Sequence, residues 1–324
     1  MLNPSRLLEG ARRVARFTCS LVSSSLTRLA VGAATLVASA SVAFAAPAAK
    51  IAATSADKVA DVNWWQAIVL GLVQGLTEFI PVSSSAHLNI THYLLHQDAR
   101  QLPFDVFISI GTIISLAWYF FRDWKALLTD PRQKWLLYMV LLACVPAVLV
   151  AVFSPIRKLE DTSKYFTSPF YNGLWMILGG VLLFVADKVG AKKRPISNIK
   201  NGDAIIIGAS QALALIPGFS RSGSTISAGL LLGFKREDAA RFSFLMSLPI
   251  SIGAVVFEAR HLLKGGSPGG GPLEITLGIV SAALSGFWAI SFLLRYLSTR
   301  GMTPFFIWRV VVGVAAMVIF RYLS

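Results

Sequence analysis

Apolar stretches about as long as a lipid bilayer is thick recur along the chain, and they constrain its fold more than any other feature. Six such stretches lie near residues 104–121, 135–153, 172–186, 242–257, 273–293 and 305–320. A transmembrane helix needs about 20 predominantly apolar residues. Continuous runs such as VLLACVPAVLVAVF lack the alternation of a membrane β-strand. We therefore predict an all-α polytopic membrane protein with about six full transmembrane helices.

Composition and charge agree with a membrane protein. The 324 residues are 55% hydrophobic and 14% charged, whereas a soluble domain carries about 25% charged residues. The net charge of +14 would suggest nucleic acid in a soluble protein, but the basic residues lie mostly between the apolar stretches. Anionic headgroups explain that placement, so we predict membrane lipids as partners and no nucleic acid. Cys19 and Cys144 predict neither a disulfide framework nor a thiolate metal site.

Residues 1–62 differ in composition from the rest. An apolar, alanine-rich stretch follows five arginines, Arg6, Arg12, Arg13, Arg16 and Arg28. It ends in AFAAPAAK, where Ala43 and Ala45 are spaced as at a small-residue cleavage site. We predict a signal peptide or dispensable extension here, followed by a membrane-embedded domain over residues 63–324. The alternatives are an uncleaved anchor and an extension upstream of the true start.

Two further apolar segments are broken in the middle. Residues 64–96 are interrupted at 81–85, and residues 203–232 at 217–224. Each arm is too short to cross a bilayer alone. Broken helices at membrane depth are tolerated only where protein or a wet cavity surrounds them. These segments therefore predict two re-entrant helical hairpins.

The two hairpins resemble each other. GLVQGLTEFIPVSS (71–84) and GASQALALIPGFS (208–220) share G-x-x-Q and then I-P-x-x-S, with one residue of length difference. That alignment matches Ser84 to Ser220. Three full spans lie between the hairpins, so the hairpins point in opposite directions. This predicts inverted repeats over about residues 63–186 and 203–324, with the broken helices meeting near the midplane.

Positive charges predict which side is which. If the first hairpin enters from outside, the cytoplasmic connecting segments carry 14 lysines and arginines and the external ones carry 7. Cytoplasmic loops carry the excess of such residues. Both ends of the membrane-embedded domain are therefore expected outside.

The first break contains candidate metal ligands. Gln74 and Glu78 are four residues apart, so they share one face of a helix. A carboxylate and an amide oxygen are hard ligands suited to Mg²⁺ or Ca²⁺. Alternatively, Glu78 pairs with Arg221 or another cation and only holds the hairpins together.

The same break contains a candidate nucleophile and base. Ser83, Ser84 and Ser85 follow Pro81, and His87 lies three residues beyond Ser84. Serine and histidine can form a nucleophile–base pair. The alternative is that the serines cap the helix that starts near residue 86.

The second break, PGFSRSGSTISAG (217–229), has the composition of a phosphate cradle. Gly218 and Gly223 permit close backbone approach, and a helix start offers free N–H groups to an anion. Arg221 supplies a planar guanidinium suited to phosphate. Hydroxyls come from Ser220, Ser222 and Thr225. Close helix packing would also explain the small residues, but it would not require Arg221.

The remaining polar residues in apolar stretches have simpler interpretations. Arg309 lies in the last span and could contact a second anion, although snorkelling to the nearby interface is the favoured interpretation. Asp105, His92 and His96 are interpreted as interfacial residues.

The residues of these breaks resemble those of a known family. QGLTEFIPVSSSAH and PGFSRSGST are similar to the two signatures of the bacterial undecaprenyl-diphosphatase family, also called the bacitracin-resistance family. The resemblance covers about residues 64–324, and the paired motifs are highly specific. The family's first motif, [E/Q]-x-x-x-E, falls on Gln74 and Glu78. Because this chain has Gln at the first position, Gln74 cannot be a general base.

The other family motifs fall on residues already singled out. One falls on Pro81, Val82, Ser83, Ser84 and His87, and another on Pro217, Gly218, Ser220, Arg221, Ser222 and Thr225. This chain has SAH where many members have TGH. The resemblance implies hydrolysis of undecaprenyl diphosphate to undecaprenyl phosphate with a divalent metal, on the external side of the bacterial inner membrane.

Our hypothesis for the mechanism assigns a role to each residue. Ser84 attacks the terminal phosphorus and His87 accepts its proton, while Gln74 and Glu78 hold the metal. The substrate phosphates are bound by Ser83, Gly218, Ser220, Arg221, Ser222 and Thr225. A metal-activated water, or His87 itself, could replace Ser84 as nucleophile. Translocation of undecaprenyl phosphate between leaflets is the alternative function, and the sequence leaves a homodimer open.

Overall fold

The computed structural model describes residues 61–95, 102–153, 168–262 and 268–322. These residues form α-helices joined by short turns and three short 3₁₀ segments, Pro131–Gln133, Ile196–Asn198 and Gln211–Leu215. In chain order the helices are α1 (Trp64–Phe79), α2 (Ser84–Leu94), α3 (Leu102–Tyr119), α4 (Phe121–Thr129), α5 (Lys134–Phe153), α6 (Pro169–Val189), α7 (Asn201–Ser210), α8 (Arg221–Leu231), α9 (Arg236–Leu262), α10 (Pro272–Leu297) and α11 (Thr303–Tyr322). Most of the predicted leader, Cys19 and His96 lie outside the described residues.

The predicted fold class is confirmed: the chain is an all-α, multi-pass membrane protein. Five helices, α5, α6, α9, α10 and α11, are each long and apolar enough to cross a bilayer. The sixth predicted span, near 104–121, corresponds to α3. It bends by 65° into α4, and the two pass the same test only together. Within the described residues the only β-type pairing is an isolated bridge between Arg194 and Phe234.

Both predicted hairpins are pairs of short helices in contact with each other. The arms contain 16 and 11 residues in α1 and α2, and 10 and 11 residues in α7 and α8. A residue before proline is driven out of the helical region. Ile80 is accordingly extended, at ψ 130°, as is Ile216, at ψ 111°. Pro81 therefore ends α1, and Pro217 ends the 3₁₀ segment that follows α7.

The second arm of each hairpin starts from an unusual serine. Ser83 has φ 78° and Ser220 has φ 76°, and each lies immediately before a helix. The predicted match of Ser84 with Ser220 is therefore wrong, because Ser83 occupies the equivalent position. Gln74 to Ser83 and Gln211 to Ser220 span the same number of residues, so no gap is needed. The shared I-P dipeptide produced the wrong register, since the prolines are offset by one residue.

Helix packing follows a repeated scheme. In the two halves, α1 corresponds to α7 and α5 to α10. Helix α1 packs on α10, and likewise α7 packs on α5. The corresponding helices α6 and α11 pack on each other, as do α3 and α9. Each half thus inserts its first helix against the other half, as expected of intertwined repeats, while the predicted repeat boundaries remain a prediction.

Small residues bring α1 and α10 close together. A Cβ atom added to Gly71 or Gly75 would collide with the backbone of α10 at Gly278 or Ala282. Close backbone approach through small residues is the usual way in which helices associate in membranes. This contact fixes α1 lengthwise against α10.

The first break therefore lies halfway along a transmembrane helix. Phe79 ends α1 and lies against Gly286, near the middle of the 26-residue α10. The Phe79 ring also packs edge-on against Phe244 of α9, with ring centroids 5.6 Å apart. The polar residues of the break are thus held at the depth of the hydrophobic core.

Ion pairs fasten one end of the bundle. Arg236 pairs with the buried Asp187, Arg194 with Asp203, and Arg241 with Asp123. These pairs join α9 to α6, the loop after α6 to α7, and α9 to α4. Their arginines lie in the connecting segments 187–201 and 233–241, which the charge distribution predicts to be cytoplasmic.

Candidate active site

Glu78 joins the two breaks. It lies in the last turn of α1, and its Oε2 accepts hydrogen bonds from Ser84 Oγ at 2.7 Å and from Gln74 Nε2 at 3.3 Å. Its Oε1 pairs with the guanidinium of Arg221, at the start of α8. The structural pairing considered as an alternative is therefore present. The same carboxylate also accepts a hydrogen bond from the hydroxyl of Ser84, the candidate nucleophile.

Gln74 presents an oxygen without a partner. The residue is 4% exposed, and its Nε2 donates to Glu78 and to Ser109 Oγ. Within the described residues its Oε1 accepts no hydrogen bond. A buried polar atom without a partner is costly. The Oε1 atom beside the Glu78 carboxylate is therefore a suitable ligand for a hard divalent cation.

The protein alone would bind such a cation incompletely. No group of three or more His, Cys, Asp and Glu side chains in the described part of the chain could hold a metal ion. Mg²⁺ is commonly held by one or two carboxylates together with substrate phosphates. Gln74 and Glu78 fit that role only jointly with the oxygens of a phosphate-containing substrate.

The serines of the first break are divided between two tasks. Ser84 begins α2 and donates to Glu78. Ser83 is buried and shares a hydrogen bond with Ser85 Oγ at 3.3 Å. Ser85 Oγ in turn accepts from the backbone N–H of Gly218 at 3.3 Å. Ser83 occupies the cap position without a side-chain capping bond, so capping does not account for these serines.

His87 is turned away from Ser84. Its Nδ1 lies 2.7 Å from the backbone oxygen of Ser83, and Trp308 Nε1 donates to its Nε2 at 2.9 Å. An indole N–H can only donate, so Nε2 must accept and Nδ1 must carry the proton. This places a neutral imidazole between α2 and α11. The predicted contact between Ser84 and His87 is replaced by Ser84–Glu78, because both ring nitrogens are already engaged.

The second break surrounds Glu78 from the other side. Ser220 Oγ accepts from Gly223 N at 3.1 Å and thereby caps α8. Ser222 Oγ shares a hydrogen bond with Ser220 Oγ and donates to the backbone oxygen of Glu78, both at 3.3 Å. Arg221 and these two hydroxyls therefore lie together, as the predicted cradle requires.

The structure places Thr225, Gly218 and Gly223 of the second break in three different environments. Thr225 Oγ1 shares a 2.6 Å hydrogen bond with Ser243 on α9, so this hydroxyl faces the packing of α8 on α9. Gly218 has φ +99°, and a Cβ there would collide with the backbone oxygen of Asn172. Gly223 is an ordinary helical residue whose Cβ would lie 2.9 Å from a guanidinium nitrogen of Arg309.

Arg309 does not snorkel. It is 0% exposed. It donates to the backbone oxygen of Met176 and to carbonyls of both breaks, Pro81, Gly218 and Phe219. Breaking a helix leaves carbonyls that need donors at membrane depth, and a guanidinium offers five N–H groups. Arg309 therefore fastens the two breaks together, which the interfacial interpretation missed.

Two other residues of the site were missed in the sequence. Trp308 carries the donor for His87 but sits among apolar neighbours in FFIWRVVV, where an aromatic residue predicts lipid contact. Asn172 is buried, its backbone oxygen lies against Gly218, and neither of its amide atoms has a partner within the described residues. Its position near the start of a span gave no signal of this contact.

His92 and Asp105, both interpreted as interfacial residues, contact each other. The His92 side chain is only 4% exposed, and its Nε2 lies 3.0 Å from Asp105 Oδ1. Asp105 lies in the first turn of α3, so this pair ties α2 to α3 beneath the surface.

Comparison with known proteins identifies the family. The family model of the bacitracin resistance protein BacA matches residues 67–315. The chain belongs to this family. Both breaks and every predicted site residue lie within the matched range, whereas the predicted leader lies outside it.

Curated relatives match over nearly their whole length. A protein of Pelobacter propionicus is 43% identical over 269 residues, which are 79% of this chain and 96% of the relative. One from Geotalea daltonii is 41% identical, covering 80% and 98%, and one from Moorella thermoacetica is 42% identical, covering 79% and 97%. Each relative is named undecaprenyl-diphosphatase. The resemblance inferred from the two motifs is thereby confirmed.

Proposed function

We propose that this chain hydrolyses undecaprenyl diphosphate to undecaprenyl phosphate and inorganic phosphate, and so recycles the lipid carrier of envelope polymers. Membership of the bacitracin resistance family and relatives named undecaprenyl-diphosphatase support this. The substrate has a membrane-bound tail and a diphosphate head. Polar chemistry at the depth of the two breaks suits such a molecule.

The observation that carries the proposal is the shared carboxylate. Glu78 holds the Ser84 hydroxyl at 2.7 Å and pairs with Arg221. Ser84 Oγ attacks the terminal phosphorus, its proton passes to Glu78 Oε2, and the bond from that phosphorus to the bridging oxygen breaks. Undecaprenyl phosphate leaves, and water then hydrolyses the phosphoserine. A water molecule activated beside Glu78 is the competing nucleophile.

Arg221 changes partner in this scheme. A diphosphate entering between the breaks competes with Glu78 for the guanidinium, since a bidentate guanidinium–phosphate contact is strong and directional. Ser220, Ser222 and the turn at Gly218 then complete the phosphate contacts. Substrate binding thus separates the Glu78 carboxylate from Arg221, and the carboxylate then accepts the Ser84 proton.

In this proposal His87 is a positioning residue and does not accept the Ser84 proton. With Nδ1 on the Ser83 carbonyl and Nε2 engaged by Trp308, it holds the left-handed serine turn from which α2 starts. It could accept a proton from Ser84 only after Trp308 releases Nε2. The geometry therefore favours Glu78 over His87 as the group that receives the Ser84 proton.

A divalent cation, Mg²⁺ or Ca²⁺, is part of the proposal. Gln74 Oε1 and Glu78 would hold it jointly with substrate oxygens. When bound, it neutralises charge that develops on the phosphate oxygens.

We further propose that the protein lies in the bacterial inner membrane with the site reached from the external side. The two-to-one excess of basic residues in the connecting segments opposite the entry of α1 supports this orientation. A homodimer remains a prediction.

The test is phosphate release from undecaprenyl diphosphate by the purified full-length chain in detergent. Release that requires Mg²⁺ or Ca²⁺, and that Arg221→Ala lacks, is expected. Arg321→Ala, which removes an exposed arginine of α11, should behave as wild type. No release by folded wild type with any divalent metal would contradict hydrolysis and make lipid translocation the leading function.

We do not extend the proposal to translocation. Alternating access requires one repeat to rock against the other. Buried Arg309 bonds to carbonyls of both breaks, so such a motion would have to break these bonds inside the membrane.

A further inference from the structure

A basic and aromatic groove lies on α10, away from the site. Arg295 and Arg300 line it together with Trp288, Phe292 and Tyr296, and its volume is about 370 Å³. The buried face of α10, which packs on α1, is formed by other residues. The groove therefore opens on the face that membrane lipids surround.

The three aromatic rings form a ladder toward the helix end. Trp288 and Phe292 are stacked, with ring centroids 5.1 Å apart and planes 4° apart, and Phe292 and Tyr296 follow at 5.7 Å. Trp288 is 55% and Phe292 37% exposed. Tyr296 is held in place by an edge-on contact with Phe305 of α11. The ladder thus offers a fixed apolar surface that ends at a tyrosine, as at a membrane interface.

The arginines lie at the expected depth of lipid headgroups. Arg295 is nine residues beyond Gly286 on α10, which is about 14 Å along a helix. Gly286 lies level with the first break, and half of a hydrocarbon core is about 15 Å thick. The guanidinium of Arg295 therefore reaches headgroup level when the break lies at the bilayer centre.

These two arginines differ from others at the same end of the bundle. Arg194, Arg236 and Arg241 are each paired with an aspartate. Within the described residues neither Arg295 nor Arg300 pairs with a carboxylate, and both lie at the negative end of the α10 dipole. Since that dipole repels anions, an anion here depends on the two guanidinium groups.

We infer that this groove binds the phosphate of an anionic phospholipid, with one acyl chain lying along the aromatic ladder. Guanidinium groups suit phosphate oxygens, and Thr299 adds a hydroxyl to the same groove. Inorganic phosphate offers the same phosphate oxygens as a lipid headgroup, but it would not contact Trp288 and Phe292. The occupant is therefore a lipid of the leaflet in which α10 ends.

Native mass spectrometry of the purified full-length protein tests this inference. Dioleoyl phosphatidylglycerol is titrated into wild type, Arg295→Gln/Arg300→Gln, and Arg122→Gln/Arg321→Gln, which loses the same charge elsewhere. Each guanidinium near a membrane surface contributes about fivefold to binding of anionic lipid. The groove variant loses two guanidinium groups at one lipid phosphate and should therefore retain about 25-fold less lipid than wild type. The control loses no group that lines the groove and should match wild type.

Further arms separate the sources of phosphate and protect against misfolding. Arg295→Lys/Arg300→Lys keeps both charges and should retain most of the binding, whereas Trp288→Ala/Phe292→Ala should lose phosphatidylglycerol. Equal retention by the groove variant and its charge control would overturn the inference. The inference would also be overturned if wild type retained phosphatidylcholine with the same acyl chains as well as it retains phosphatidylglycerol. The groove would instead be assigned to free phosphate if millimolar inorganic phosphate displaces phosphatidylglycerol and the Trp288→Ala/Phe292→Ala change does not affect this displacement.

Discussion

Glu78 shows how one residue can serve both halves of a repeated fold. Its carboxylate takes the Ser84 hydroxyl from the first break and the Arg221 guanidinium from the second. The second break has no corresponding acid of its own, since the position equivalent to Glu78 in the second half is Leu215. The chemistry is therefore asymmetric although the packing repeats.

Trp308→Phe should lower turnover with little change in KM. The phenyl ring keeps the shape but loses the N–H that holds His87 in one tautomer. A hydrogen bond of this kind is worth about 1 kcal/mol, so kcat should fall about fivefold. Steady-state phosphate release measures both constants. Trp135→Phe, an exposed tryptophan of α5, is the matched control. An unchanged kcat in Trp308→Phe would show that the tautomer of His87 does not matter.

At the scale of elements, each break places strain where the site is. Ser83 and Ser220 both adopt a left-handed backbone that residues with side chains rarely adopt. Such conformations persist when their surroundings fix them, and they cluster at functional sites. Here the Ser83 carbonyl is held by His87, and the carbonyls just before Ser220 are held by Arg309.

Gly218→Ala should disable the second break. The added methyl group would meet the Asn172 carbonyl, and φ +99° is strained for alanine. We expect a loss of about 1–3 kcal/mol in stability and at least about tenfold in phosphate release. Thermal unfolding in detergent and the release assay measure these effects. In Gly253→Ala, on α9, the new Cβ meets nothing within 4 Å, so both properties should stay at wild-type level. Normal activity of Gly218→Ala would mean that the turn is not needed.

Arg309→Leu should destabilise the whole membrane domain. It leaves carbonyls of both breaks without donors in a buried, low-dielectric place, at about 1–3 kcal/mol for each unsatisfied group. The unfolding temperature in detergent should fall clearly, and phosphate release should fall with it. Arg321→Leu, on the same helix but exposed, provides the comparison. Equal unfolding temperatures for the two variants would contradict the fastening role of Arg309.

At the scale of the molecule, sequence patterns predicted the spans and breaks, which depend on hydrophobicity and on proline. The pairing of Glu78 with Arg221 was only an alternative to metal binding, and the sixth span, α3, passes the length test only together with α4. The other five spans, both broken segments and the meeting of the two breaks followed from apolar length, the two I-P dipeptides and their repeat. These signals are local or repeat along the chain, so they survive without knowledge of packing.

The contacts that depend on three-dimensional packing were not predictable in the same way. Arg309 was interpreted from the nearby membrane interface, but the carbonyls that it binds come from α6 and both breaks. His87 was paired with Ser84 because they are near in sequence, whereas its partner Trp308 is 221 residues away. A one-residue offset between the prolines likewise hid the equivalence of Ser83 and Ser220.

The most direct test of the account is the rate of phosphate release by Glu78→Gln with saturating undecaprenyl diphosphate and Mg²⁺ or Ca²⁺. Glutamine keeps the shape of the side chain but cannot accept the Ser84 proton or neutralise Arg221. If Glu78 acts on the transition state, turnover should fall at least about 100-fold while the variant still purifies as folded protein. Near-normal turnover would contradict the central claim that this shared carboxylate carries the chemistry.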